Sequence, residues 1–481
     1  MLNSLLRFPL WSIVPLICIY MLLGISARHA DVDHHAAIVT LTVFLTATWL
    51  WMCTKLDETY IAVLAVFILI TSGTLKETAL YVSWGQDIMW LLIAAFVIAA
   101  GVVKTGIATY CSSQLLQYAH SPRMLCYTLS LFIVFSAFII PSTSGRAAIF
   151  LPIFLALVDR LKAYPNLIKA LALLCPSIIL LSAVGSYFGA GAHLITNQIL
   201  LDQGYASFSL LNWLYLGLPF ALISSLACTE LILRLFTTAQ DRCLPLNLLQ
   251  LKPLQPSSEQ VGLSSEQKRI VGILALILGL WFLEPWHHIS ATMVALFGAL
   301  LMATPGVGCI KFSHAMKTVP WSLLIFMAAT LTMGAALIQS GAVTWLTQAL
   351  FTHIDATQWG APVLFTSAMI LLSLLAHLLI QSRSARSVVL IPIAVSLAPQ
   401  FNVSPVAIAF ISTAAAGFCH SFTSSAKPIA IFHQTETQSM FNSEDLLKLS
   451  FYLAPIMFVL LLIFTFLIWP LMGMPIWIST E

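Results

Sequence analysis

Charge is what this sequence has least of: 8% of its 481 residues are Asp, Glu, Lys or Arg, against about 25% in a soluble chain. With 60% hydrophobic residues, the chain lacks the polar side chains to coat a surface facing water, so lipid must solvate much of it. A formal charge of +3 is too small to argue for nucleic acid, no basic stripe exists, and no nucleic-acid partner is expected. The nine cysteines are scattered, with no CxxC pair and no metal-ligand spacing, and read as small apolar residues inside helices. His34-His35 and His287-His288 adjoin apolar runs without further ligands and read as interfacial loop residues. HExxH, GxSxG, paired carboxylates and a nucleotide loop are missing, which argues against a membrane-embedded enzyme and implies no cofactor.

What is there is a succession of apolar runs of membrane-spanning length. They predict an all-α polytopic membrane protein with about eleven transmembrane helices, near 9–27, 36–54, 59–74, 86–104, 170–200, 211–236, 269–286, 289–304, 319–338, 404–433 and 448–471. The first run has a short positive lead but is read as a retained helix, not a signal peptide. Two further stretches, 124–160 and 361–400, are too long for one helix and have Ser-rich centres. They predict re-entrant helical hairpins, tolerated in a membrane only where buried in protein or lining an aqueous cavity. Amphipathic pieces near 105–119 and 342–354 are expected along the interface.

The long polar segment 237–268 reads as a cytoplasmic linker between halves. The expected organisation is therefore scaffold helices over 1–80, a first repeat over 81–236, the linker, and a second repeat over 269–481. With the N-terminus cytoplasmic, fifteen Lys and Arg residues face the cytoplasm, while Arg28 and Lys76 face outside, a strong positive-inside bias. A bacterial inner membrane is the expected location.

Three features recur in one order. STSGRAAIFLPI at 142–153 aligns without a gap with SRSARSVVLIPI at 382–393, with Ser, Ser, Arg, Pro and Ile identical. Upstream lie Lys104-Thr105-Gly106 and Gln339-Ser340-Gly341. Downstream lie small-residue helix breaks, SYFGAGAHLIT at 186–196 and HSFTSSAKPIA at 420–430, aligning His193 with Lys427. An odd number of elements between copies makes the repeats inverted, the mark of a secondary transporter whose site lies at the interruptions.

Arg146, Arg383, Arg386 and Lys427 fall within those interrupted segments. Each mid-membrane charge costs about 2.5–3.5 kcal/mol on insertion scales. Protein acids are an unpromising source of compensation: Glu230 alone sits well inside a span, and no carboxylate lies within twenty residues of Arg383 or Arg386. A substrate that brings the negative charge accounts for them, because a guanidinium fork pairs with carboxylate or sulfate oxygens. Ser142, Ser144, Ser382 and Ser384 would donate further hydrogen bonds. The competing reading is that one or more of these cations snorkel to an interface or cap the carbonyls of a half-helix.

The two tips, Ser142-Thr143-Ser144 and Ser382-Arg383-Ser384, with the following Pro152-Ile153 and Pro392-Ile393, resemble the divalent anion/sodium symporter (DASS) family of di- and tricarboxylate and sulfate transporters. The resemblance implies a homodimer in lipid, each protomer with a fixed scaffold and a moving transport domain, an elevator. It implies a site from the tips and the second break, adding Thr423, Ser424 and Ser425. Sodium-using members have Asn at each tip centre, where this chain has Thr143 and Arg383. The tips look more like the exchanger branch, in which fixed cations, here Arg383 and Lys427 with His193, replace sodium. The expected activity is exchange of one small di- or trivalent anion for another. The alternative is sodium- or proton-driven uptake of the same anions, with His193, His377, His420 and His433 available for protons.

Overall fold

The computed structural model describes residues 35–107, 110, 120–243, 263–342, 345, 360–423, 425–433 and 440–478. The expected first span, most of the two interfacial pieces, the linker's middle and Ser424 lie outside these residues.

The described chain is helical. The first half runs α1 (His35–Cys53), α2 (Glu58–Thr71), α3 (Thr78–Trp84), α4 (Asp87–Thr105), α5 (Pro122–Ser136), α6 (Thr143–Arg160), α7 (Pro165–Leu181), α8 (Gly191–Asp202) and α9 (Leu210–Phe236). The second runs α10 (Ser265–Phe282), α11 (Ala291–Ala303), α12 (Phe312–Thr318), α13 (Trp321–Gln339), α14 (Ala361–Leu375), α15 (Arg383–Leu397), α16 (Pro405–Ala415), α17 (Lys427–His433) and α18 (Ser443–Ile463).

Local chemistry sets these ends. Asp57 accepts from the N–H groups of Thr59 and Tyr60, and Ser121, Ser209, Ser290 and Ser404 accept at the starts of α5, α9, α11 and α16. Ser264 and Gln267 form a reciprocal capping box at α10. Gly106 ends α4 at φ 63° and Gly341 follows α13 at φ 69°, a conformation glycine adopts without a Cβ clash.

Among the described residues, seven helical stretches are long and apolar enough to cross a membrane, and five shorter apolar helices accompany them. The runs 170–200 and 404–433, each expected as one span carrying a break, are two helices apiece. α7 tightens into a 3-10 turn at Ser182–Gly185 before α8, and α16 stops eleven residues before α17 starts.

The labelled helices of the two halves follow in the same succession, and their packing is reciprocal. α2 packs on α13 while α11 packs on α4; α3 packs on α13 while α12 packs on α4. α8 packs on α15 while α17 packs on α6, and α7 meets α17 while α16 meets α8. Such exchange is what two halves related by a pseudo-two-fold axis produce. Ring contacts fold each broken stretch back on itself: Phe132 on α5 meets Phe150 on α6 at 5.4 Å, and Phe365 on α14 stacks on Phe401, beyond α15, at 4.5 Å. Phe365 and Phe401 are equidistant in sequence from Arg383, and Phe132 and Phe150 lie on either side of Thr143, so in both stretches residues before and after the tip meet.

Candidate functional site

The fold brings the two hairpin tips, more than two hundred residues apart in sequence, to one cavity of about 310 Å³. Ser142, Thr143 and Ser144 line it from one tip, Gln381, Ser382, Arg383 and Ser384 from the other. Leu180, Ala190 and Gly191 enter from the first break, and Cys419, Ser425 and Lys427 from the second. Arg386 lies one turn below its tip and also lines the wall.

Helix starts shape the chemistry of this wall. α6 and α8 begin at the cavity without side-chain caps, so their first-turn N–H groups have no acceptor of that kind. Such termini carry roughly half a positive charge each and favour anions. α15 is capped: Ser382 Oγ accepts from Ala385 N–H at 3.3 Å. The tips therefore differ in backbone as well as sequence. Ser382 has an ordinary φ of −72°, whereas Ser142 is held at φ 86° and ψ 126°, where a side chain is strained.

The buried arginines obey one spacing. Arg146 donates to the Ile179 carbonyl at 2.6 Å and Arg386 to Cys419 Sγ at 2.7 Å, each 33 residues downstream. Each thus reaches the break in its own half. Their satisfaction differs. Arg146 also donates to Ser182 Oγ at 2.9 Å and caps the end of α7; only its Nε is left buried without a partner, and it is not among the residues lining the cavity. Arg386 leaves Nε and Nη1 buried with no partner. Arg383 donates through Nη2 to the Leu180 carbonyl at 3.1 Å and leaves Nη1 buried and unpartnered. Among the described residues, the four ion pairs are Arg123–Glu230, Lys162–Asp159, Lys169–Asp445 and Arg234–Glu230, none involving Arg146, Arg383, Arg386 or Lys427. Glu230 is held by Arg123, Arg234 and Tyr127, far from the tips.

Two further expected residues lie apart. His193 is buried, with Nδ1 against the Ser186 carbonyl at 2.9 Å and its ring stacked on Trp213. Because α8 begins at Gly191 and α17 at Lys427, the helix starts set Gly191 opposite Lys427, two residues before His193. Thr423 belongs to the second break but is not among the cavity-lining residues. His377 bonds Ser421 at 2.8 Å and the Leu374 carbonyl, and His420 Nδ1 accepts from Cys419 N–H.

Sequence reasoning passed over Cys419 and Glu58. Cys419 stands one residue before the aligned second break, and nothing in its sequence position marked it as an arginine partner. No signal existed for Glu58, the first residue of α2, which reaches this wall by tertiary packing alone.

The chain is 24% identical over 314 residues to dicarboxylate transporter 2.1, chloroplastic, of Arabidopsis thaliana, covering 62% of this chain and 54% of that protein. It is 22% identical over 476 residues to the sodium-dependent dicarboxylate transporter SdcS of Staphylococcus saprophyticus, covering 92% and 88%. Several curated relatives are matched over only 54–64% of their own length. The YdaH transporter of Alcanivorax borkumensis shares the fold, with TM-score 0.53 and 15% identity, over 91% of this chain and 98% of that one. Residues 48–415, well over half of the chain, match the citrate transporter (CitMHS) family, and this multi-pass membrane protein belongs to that family.

Proposed function

We propose that this chain is a secondary transporter of small di- or tricarboxylate anions, that the cavity between its tips is the substrate site, and that it works by anion:anion exchange. One observation carries this reading: Arg383, Arg386 and Lys427 line a single cavity, and both arginines keep buried N–H groups without a protein acceptor. A buried charged donor left unsatisfied is costly, and a carboxylate entering the cavity would remove that cost. Ser142, Thr143, Ser144, Ser382, Ser384 and Ser425 supply hydroxyls around it. Arg146 and His193 then act as positioning residues, holding the end of α7 and the start of α8. The names of the Arabidopsis and Staphylococcus relatives support a dicarboxylate cargo.

Exchange follows from fixed charge. An empty cavity holding several cations is costly to carry across lipid, so the loaded form moves. A homodimer with elevator motion, re-entrant hairpins and a bacterial inner membrane with cytoplasmic N-terminus complete the reading, on the family resemblance and the Lys and Arg distribution. Sodium-coupled symport is the second reading, favoured by similarity to the sodium-dependent relative. Against it, Arg383 would repel Na⁺ by about 4 kcal/mol at about 4 Å and an effective dielectric of about 20.

Thermal melting of the purified chain with succinate tests the site. The wild type should melt higher, since a ligand of the folded state raises its melting point. Arg386→Gln should lose that rise, while Arg146→Gln should lower the baseline by about 1.5–3 kcal/mol of stability yet keep the rise. A rise retained in Arg386→Gln removes Arg386 from the site. In proteoliposomes, uptake should require internal anion and ignore Na⁺; sodium-dependent uptake into empty vesicles rejects exchange.

A further inference from the structure

Among the described residues, the cavity wall contains one acid. Glu58 comes from α2, which packs on α13 and belongs to neither hairpin. Asp57 caps α2 through its own carboxylate, and Glu58 stands at the first helical position, where the helix dipole favours a negative charge. Reciprocal packing makes α11 the counterpart of α2, and its first residue is Ala291. The acid therefore breaks the pseudo-symmetry, and it does so at the substrate cavity.

Charge counting gives this asymmetry a consequence. Among the described residues, the charged side chains of the wall are Arg383, Arg386, Lys427 and Glu58, so three positive charges and one negative leave a formal +2. Arg146 is outside the wall, and both of its Nη groups are taken by protein acceptors, Ser182 Oγ and the Ile179 carbonyl. Against these side chains a dianion balances +2 and a trianion exceeds it by one; the starts of α6 and α8 add partial positive charge for either anion, and the Glu58 carboxylate weighs most against the more highly charged one. Cavity size does not discriminate, because about 310 Å³ lies at the lower end of ordinary small-molecule pockets, which admit both four-carbon and six-carbon acids.

Resting on the carboxylate-site reading, we infer that Glu58 is a specificity-determining residue that sets the net charge of the cavity and selects dianions over trianions. Its carboxylate offsets one wall cation in the empty site and repels the third negative charge of a tricarboxylate in the occupied one. The chain would then favour a dicarboxylate, although it belongs to a family described by citrate.

The test is the ratio of succinate to citrate affinity, measured on the full chain in detergent at neutral pH and fixed ionic strength. The wild type should bind succinate more tightly. Glu58→Gln should shift the ratio toward citrate by about tenfold, the size of one added charge interaction across a partly screened cavity. Glu58→Asp, which keeps the charge, should hold the wild-type ratio. An unchanged ratio in Glu58→Gln, with both anions still bound, overturns the inference. So does a wild-type preference for citrate, which decides the matter even if Glu58→Gln does not fold. If neither anion binds the wild type, the carboxylate-site reading itself fails, a result distinct from an unmoved ratio.

Discussion

Ser142 and Ser382 occupy matching places in the two tips, yet their backbones place them under opposite constraints. Ser382 caps α15 with an ordinary φ, while Ser142 sits at φ 86° and makes no side-chain cap. A side chain in that region costs about 1–3 kcal/mol, and glycine escapes the clash at an entropic cost of about 0.5–1 kcal/mol. Ser142→Gly should therefore raise stability by about 1 kcal/mol in chemical or thermal melts, whereas Ser382→Gly should lower it by about a few tenths, the usual cost of a Ser-to-Gly cap. A fall in both variants would show that the first tip is not strained. Arg146 and Arg386 repeat the lesson in polar terms. They align in sequence and share a 33-residue reach, but both Nη groups of Arg146 have protein acceptors, whereas Arg386 leaves one Nη as well as Nε idle.

At the scale of elements, the site exists because α7 and α16 stop short. The turn after α7 is pinned by close backbone approach: a Cβ on Gly217 of α9 would fall inside contact distance of the Val184 carbonyl. Trp213, on the same helix, donates to that carbonyl at 2.9 Å. Gly334, inside α13, would meet nothing within 4 Å. Gly217→Ala should therefore destabilise the fold by about 1–3 kcal/mol through overpacking, while Gly334→Ala should be neutral or stabilising by about 0.5–1 kcal/mol through lost backbone freedom. Melting of the two variants side by side checks this, and equal effects would remove the turn's special role. The cross-half bond from Arg383 to the Leu180 carbonyl ties the same turn to the other tip.

Across the whole molecule, α4 acts as a ruler. Its 19 residues rise about 28 Å, close to the hydrocarbon thickness of about 30 Å. Lys104 at its far end donates to the Cys309 carbonyl just before α12, whereas Lys76 lies before α3, at its near end. Lys76 and Lys311 are both exposed and stand at corresponding places in the two halves. An inverted arrangement puts them on opposite faces. Cysteines placed at these positions should be labelled by a membrane-impermeant maleimide from opposite sides, Lys76→Cys from outside intact cells and Lys311→Cys only after lysis. Labelling of both from one side would contradict the inversion and the positive-inside orientation together.

The helical, membrane-embedded character, the order of spans and breaks and the doubled Ser–x–Ser–x–Arg tips were legible from sequence. They follow from local quantities: hydropathy over a helix length, turn chemistry and the cost of a charge in lipid. What residue order could not reveal was which cations share one space and which acid joins them. That Arg146 turns to the end of α7 while Arg383 crosses to the other half depends on how α8 and α17 dock against the opposite tips. Glu58, hundreds of residues from Arg383 and from Lys427, reaches the same wall only because α2 packs on α13. Electrostatic balance is a sum over distance in space, and those distances are created by tertiary packing.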